Sequence, residues 1–136
     1  PQIKDLDFSF SGLKTSFLYL LRDMSQQNPD FVKENTADLC ASLQKTIIDI
    51  LIDKLVKASK QTGIKEISIG GGVSANSGLR NAIEETGKLH RWTTFLPKLK
   101  YTTDNAAMIG ITAYYKYKAN IFANHETSPL ARHKNI

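Results

Sequence analysis

Three consecutive glycines directly after a short apolar run constrain this chain more than any other feature. The segment reads Glu66-Ile67-Ser68-Ile69-Gly70-Gly71-Gly72-Val73-Ser74-Ala75-Asn76, and a helical pattern follows over 77–86 before Gly87. Ile67 and Ile69 alternate with polar residues and then stop at glycine, which predicts a strand over 66–69 and a tight turn. Glycine lets the backbone come close to a ligand, and the helix that follows presents unpaired N–H groups that favour an anion. A second strand is predicted over 92–96, ended by Pro97. Strand, helix and strand in that order imply α/β layering with a parallel sheet.

The remaining pattern is helical. Asp7-Phe8-Ser9-Phe10-Ser11-Gly12 alternates and reads as a short extended piece with a turn, after which Leu13, Phe17, Leu20, Leu21 and Met24 take helical spacing up to Asn28-Pro29. A long helix is predicted over 36–61, with Leu39, Leu43, Ile47, Leu51 and Leu55 in one row and Ile48, Ile52 and Val56 beside it. Gly63 supplies its stop and Gly87 that of the next helix. A last helix is expected over 104–118. The expected division is a lobe over 1–119 and a loose basic tail over 120–136. Two strands cannot cover this many apolar helix faces, so the sheet is expected to lack its first strands. The missing initiator Met fits the same expectation, that of a piece of a longer protein.

Composition bounds the setting. Of 136 residues 41% are hydrophobic and 23% charged, which suits one globular domain and argues against a disordered chain. The single cysteine, Cys40, excludes an internal disulfide and points to a reducing cytoplasm; it is expected in the core. No apolar run approaches the ~20 residues of a membrane helix and no signal-peptide pattern opens the chain, so no membrane partner is expected. The net charge of +5 gathers at Lys88, Arg91, Lys98 and Lys100, with no acid between 88 and 100, and again at Lys116, Lys118, Arg132 and Lys134. Such patches suit a phosphate backbone, and equally a solvated surface. Trp92, Phe95, Tyr114 and Tyr115 are expected to pack rather than stack on bases.

Several ligands could use the glycine turn. A Walker loop is excluded, because no Gly-Lys-Ser/Thr follows. Gly70, Gly72 and Ala75 fit a dinucleotide frame loosely, but the acid that should hold a ribose about 20 residues on is missing from 90–97. A turn without any ligand is also open.

Three motifs go further. Gly71-Gly72-Val73-Ser74-Ala75-Asn76 with Leu79-Arg80, Asp7-Phe8-Ser9-Phe10-Ser11-Gly12-Leu13-Lys14-Thr15, and Thr103-Asp104-Asn105-Ala106-Ala107-Met108-Ile109-Gly110 stand in order along the chain. Together they resemble the C-terminal half of the TsaD family, the transferases on an actin-like fold that install N6-threonylcarbamoyladenosine in tRNA. The resemblance covers about 7–117. It implies a partial actin-like lobe, helices around a short parallel sheet, and transfer of threonylcarbamoyl from threonylcarbamoyl-AMP to N6 of adenosine 37 in tRNAs reading ANN codons. It also implies a paralogous actin-like subunit, a small ATPase and an N-terminal half as partners.

The resemblance assigns Asn76, Gly71 and Gly72 to the adenylate or ATP. It makes Asp104 a ligand to one divalent metal, iron by family preference with zinc or magnesium as alternatives. An H-x-x-x-H motif would complete that site, and His90, His125 and His133 do not form one. Lys88, Arg91, Lys98 and Lys100 become candidates for tRNA contact. Read by residue type alone, Asn76 is a helix cap or an amide that recognises adenine or ribose, and Asp104 is more readily a helix cap than an oxygen ligand to a hard cation. Lys14 faces solvent or neutralises a phosphate, and no catalytic residue is assigned. Two other readings stay open: a piece of an actin-like sugar or acetate kinase, and a non-catalytic scaffold or RNA-binding partner. An isolated chain of this kind is expected to be inactive and to self-associate through its open apolar edge.

Overall fold

The structure is a computed structural model, and it describes residue 3 and residues 5–128. Five helices and two strands follow one another as α1 (Phe10–Gln27), α2 (Phe31–Glu34), α3 (Thr36–Thr62), β1 (Glu66–Ser68), α4 (Ser77–His90), β2 (Thr93–Phe95) and α5 (Ala106–Lys118), with 3-10 turns at Gly72–Ala75 and Leu99–Tyr101. β1 and β2 pair in parallel, Glu66 with Thr93, Ile67 with Thr94 and Ser68 with Phe95. α4 is the crossover between them. The α/β layering and the parallel sheet are therefore as the sequence implies, and they fit part of an actin-like lobe. Among the described residues no helix is long and apolar enough to cross a membrane.

The core lies where α3 and α4 close over this sheet. Ile67, Leu79 and Ile83 are buried, and Ile48, Leu51, Ile52, Leu55, Ile69, Trp92 and Leu96 pack around them half-exposed. α3 ends as expected at Gly63, whose φ of 74° places it in the left-handed region. Lys54 is buried on α3 and among the described residues has no carboxylate partner. Its ammonium donates to the carbonyl oxygens of Ile3 and Asp5, strapping the segment before α1 across the helix.

Several local expectations are corrected. Residues 7–12 do not stay extended: α1 starts at Phe10, because Ser9 Oγ accepts from Gly12 N at 3.2 Å and caps it. Gly87 does not stop α4. It lies inside the helix, where a Cβ would come within 2.8 Å of Thr94 Cγ2, so its smallness lets β2 approach. The stop is Arg91, left-handed at φ 57°. Cys40 is exposed rather than in the core, because the packing of α3 against the sheet begins farther along, at Ile48. Of the aromatic residues expected to pack, only Trp92 does; Phe95, Tyr114 and Tyr115 are exposed. α2 is a single turn that the sequence pattern did not indicate. Of the expected tail, residues 120–128 carry no helix or strand, and Arg132, His133 and Lys134 lie outside the described residues.

Candidate functional site

β1 delivers the chain to the glycine turn at the C-terminal end of the sheet. Gly71 has φ 78°, a backbone that a side chain would strain. The turn closes on itself: Ser74 N and Ser74 Oγ both donate to Gly71 O, at 3.0 and 2.7 Å, and Asn76 N donates to Val73 O at 3.0 Å. Ser74 is only 1% exposed, so its hydroxyl is an internal strut of the turn. A Cβ placed on Gly70, Gly71 or Gly72 would meet no atom within 4 Å, so this face of the turn is open to a ligand.

Asn76 caps α4. Its Oδ1 accepts from Leu79 N at 2.9 Å, and its Nδ2 donates to Gln44 Oε1 on α3 at 2.9 Å. An amide offers two acceptor and two donor positions, so one of each remains. Beside it lies a cavity of about 300 Å³ with apolar walls from Leu43, Ile47, Val73 and Leu79, and with Gln44 and Asn76 as its polar groups. An open glycine turn and a capped helix start, with an apolar cavity beside Asn76, suit a ligand with an anionic end and an apolar end.

Arg80, in the first turn of α4, binds both sides of this end of the sheet. Nη1 donates to Ser74 O and Nη2 to Pro97 O, each at 2.9 Å. Sequence reasoning assigned no role to Arg80 or to Gln44. Arg80 carried a signal, because a cation at a helix N-terminus opposes the helix dipole and needs a reason. Gln44 carried none, since its partner lies across the fold.

Asp104 stands just before α5 and is exposed. It is not the cap: Asn105 Oδ1 accepts from Met108 N at 3.0 Å and fills that role. Among the described residues the Asp104 carboxylate has no hydrogen-bond or ion-pair partner, and none joins it to Asn76. A free carboxylate is a suitable oxygen donor to a hard cation. The set is incomplete, however, because the described residues contain no group of three His, Cys, Asp or Glu that could hold an ion. The described residues therefore offer one donor and not a metal site.

The four basic residues do not form one patch. Thr93 N donates to Lys65 O, so the N-terminal ends of both strands meet near Arg91, and Lys88 lies on the last turns of α4 beside them. Lys98 and Lys100 follow Pro97 at the opposite end, the end of the glycine turn. The two pairs therefore lie toward opposite ends of the strands. All four are exposed, and Lys100 Nζ lies 4.8 Å from the centre of the Tyr101 ring. Lys14 is exposed on α1, and no hydrogen bond or ion pair joins it to the turn among the described residues.

A parallel sheet whose first strand runs into a glycine turn and a capped helix defines an α/β lobe, with that turn at the C-terminal end of the sheet, where open α/β sheets in general meet their ligands. A family model described as "TsaD: tRNA N6-adenosine threonylcarbamoyltransferase" matches residues 1–111. The chain is 53% identical over 132 residues to the tRNA N6-adenosine threonylcarbamoyltransferase of Porphyromonas gingivalis, which covers 97% of this chain and 39% of that protein. The proteins of the same name from Phocaeicola vulgatus and Christiangramia forsetii are 52% and 51% identical, over 97% and 98% of this chain and 39% of their own lengths. The chain belongs to the TsaD family, and it spans about two fifths of the length of these relatives.

Proposed function

We propose that this chain supplies the adenylate-holding lobe of a tRNA N6-adenosine threonylcarbamoyltransferase. The observation that carries the reading is the family match over 1–111, which contains the whole glycine turn with its open face and its cap at Asn76. In this reading the N6 amine of adenosine 37, in tRNAs reading ANN codons, attacks the carbamoyl carbon of threonylcarbamoyl-AMP. A C–N bond forms, the C–O bond to the phosphate breaks, AMP leaves with the electron pair, and the N6 proton passes to solvent. Gly71 and Gly72 hold the adenylate through backbone contact. The amide of Asn76 keeps one N–H and one lone pair for the nucleotide. Holding the adenylate in place supplies proximity rather than acid–base chemistry.

Asp104 gives one oxygen to a divalent cation, iron by family preference, with zinc or magnesium as alternatives. The other ligands come from outside the described residues. Such a cation, when bound, supplies Lewis acidity. Lys98 and Lys100, at the end of the turn, are better placed for the tRNA than Lys88 and Arg91. The partners are tRNA, the paralogous actin-like subunit, the small ATPase and the N-terminal half of the transferase, in the cytoplasm. The chain by itself is inactive.

Mass spectrometry of tRNA nucleosides tests this in cells depleted of their own transferase. Threonylcarbamoyladenosine is expected to return with this chain plus the N-terminal half, and not with this chain alone. Asp104→Ala is expected to abolish it while shifting the melting temperature by less than about 2 °C, because an exposed, unpaired carboxylate contributes little stability. No return from an assembled pair would sink the reading.

A further inference from the structure

We propose that Arg80 is a positioning residue that sets the placement of the Asp104 segment against the glycine turn. The inference rests on the function proposed above, and its geometry is independent of it. One guanidinium donates to Ser74 O at the end of the turn and to Pro97 O beyond β2, both at 2.9 Å. Among the described residues Arg80 has no carboxylate partner, and it sits in the first turn of α4, where the helix dipole disfavours a cation. Two carbonyl oxygens from segments far apart in sequence are what hold it there. Arginine presents two parallel donors on a rigid plane, so it sets both a distance and an orientation; lysine, with one nitrogen, sets neither.

The far side of this clamp carries local hydrogen bonds of its own. Tyr101 N donates to Lys98 O at 2.8 Å, and Thr102 donates to Leu99 O through N at 3.2 Å and through Oγ1 at 2.8 Å. Thr102 is 4% exposed. Asn105 Nδ2 donates to Thr103 O at 2.8 Å, and Asn105 Oδ1 caps α5. Local hydrogen bonds thus tie the backbone in two adjoining groups, 98–102 and 103–108, with Asp104 inside the second, between Thr103 and Asn105. On the near side, Ser74 anchors the turn through Gly71 O. Among the described residues Arg80 is the side chain that hydrogen-bonds to both segments.

The test compares Arg80→Lys with Arg80→Met in the full-length protein, first by hydrogen–deuterium exchange. Both variants are expected to raise exchange at least fivefold over 98–105 and measurably over 72–76, with β1 and β2 unchanged. Unchanged protection over 98–105, or a uniform rise across the chain, would overturn the proposal. The second readout is the kinetics of threonylcarbamoyl transfer, where kcat is expected to fall at least tenfold with the KM for the adenylate changed less than threefold. A raised KM at unchanged kcat would instead make Arg80 a ligand contact and also overturn it. If the wild-type protein transfers nothing, the function proposed above fails, while the exchange experiment still decides the clamp.

Discussion

α4 and α5 are alike in length and unlike in everything that packing decides. α4 carries a stripe, Leu79, Ile83 and Gly87 at four-residue spacing, and that stripe is its buried face. α5 has apolar residues on all sides, and none is buried: Met108, Ile109, Ile111, Tyr114, Tyr115 and Tyr117 are all exposed. A striped helix needs one neighbour, whereas a helix apolar all round needs to be surrounded. The comparison teaches where the candidate site stands. The glycine turn and Asn76 sit on the part of the molecule that packs itself. Asp104 sits at its margin, one residue before the cap of a helix that does not.

Three changes sharpen or break this contrast. The largest effect is expected from Ile83→Ala, which opens a cavity in the buried stripe and should cost about 2–5 kcal/mol in urea unfolding of the isolated chain. A cost below about 1 kcal/mol would mean that the α3–α4 side is no core. Next comes Gly87→Ala. Its Cβ would press on Thr94 Cγ2, and after the gain in helix propensity the net loss is expected at about 1–2 kcal/mol. Adding Thr94→Ala should recover most of it, and failure to recover would remove the close-approach explanation. The smallest effect is expected from Ile109→Lys on α5, under about 0.5 kcal/mol, with a lower apparent mass by light scattering at high concentration. A large loss of stability there would show that α5 packs after all.

The element order was readable because periodicity and glycine punctuation are local properties. The rows of α3, the left-handed Gly63 and the turn after Ile69 all follow from neighbours in sequence. Gly87 misled for a physical reason: a glycine near a helix end reads as a stop, and only the position of Thr94 reveals that it is there for space. Arg91 misled in the opposite way, since arginine seldom ends a helix in a left-handed turn. At the site, the family resemblance marked Gly71, Asn76 and Asp104, whereas residue type alone left a helix cap open at Asn76 and favoured one at Asp104. It did not show that Asn105 takes the cap and leaves the Asp104 carboxylate free, because two adjacent polar residues compete for one role. Gln44 and Arg80 act through partners 32 and 17 residues away, Asn76 and Pro97, and no local pattern encodes such pairs.

The strap made by Lys54 has a consequence for how the sequence can change. Its ammonium grips the carbonyl oxygens of Ile3 and Asp5, atoms that every residue possesses. Replacement of Ile3 leaves that grip intact, and at position 5 the left-handed φ of 52° asks only for a residue that tolerates it, such as Asn or Gly. The number of residues between the strap and the Ser9 cap is another matter. An insertion or deletion there would slide the carbonyls past the ammonium and leave a buried charge unmatched. The segment ahead of α1 is thus free to drift in composition and bound in length.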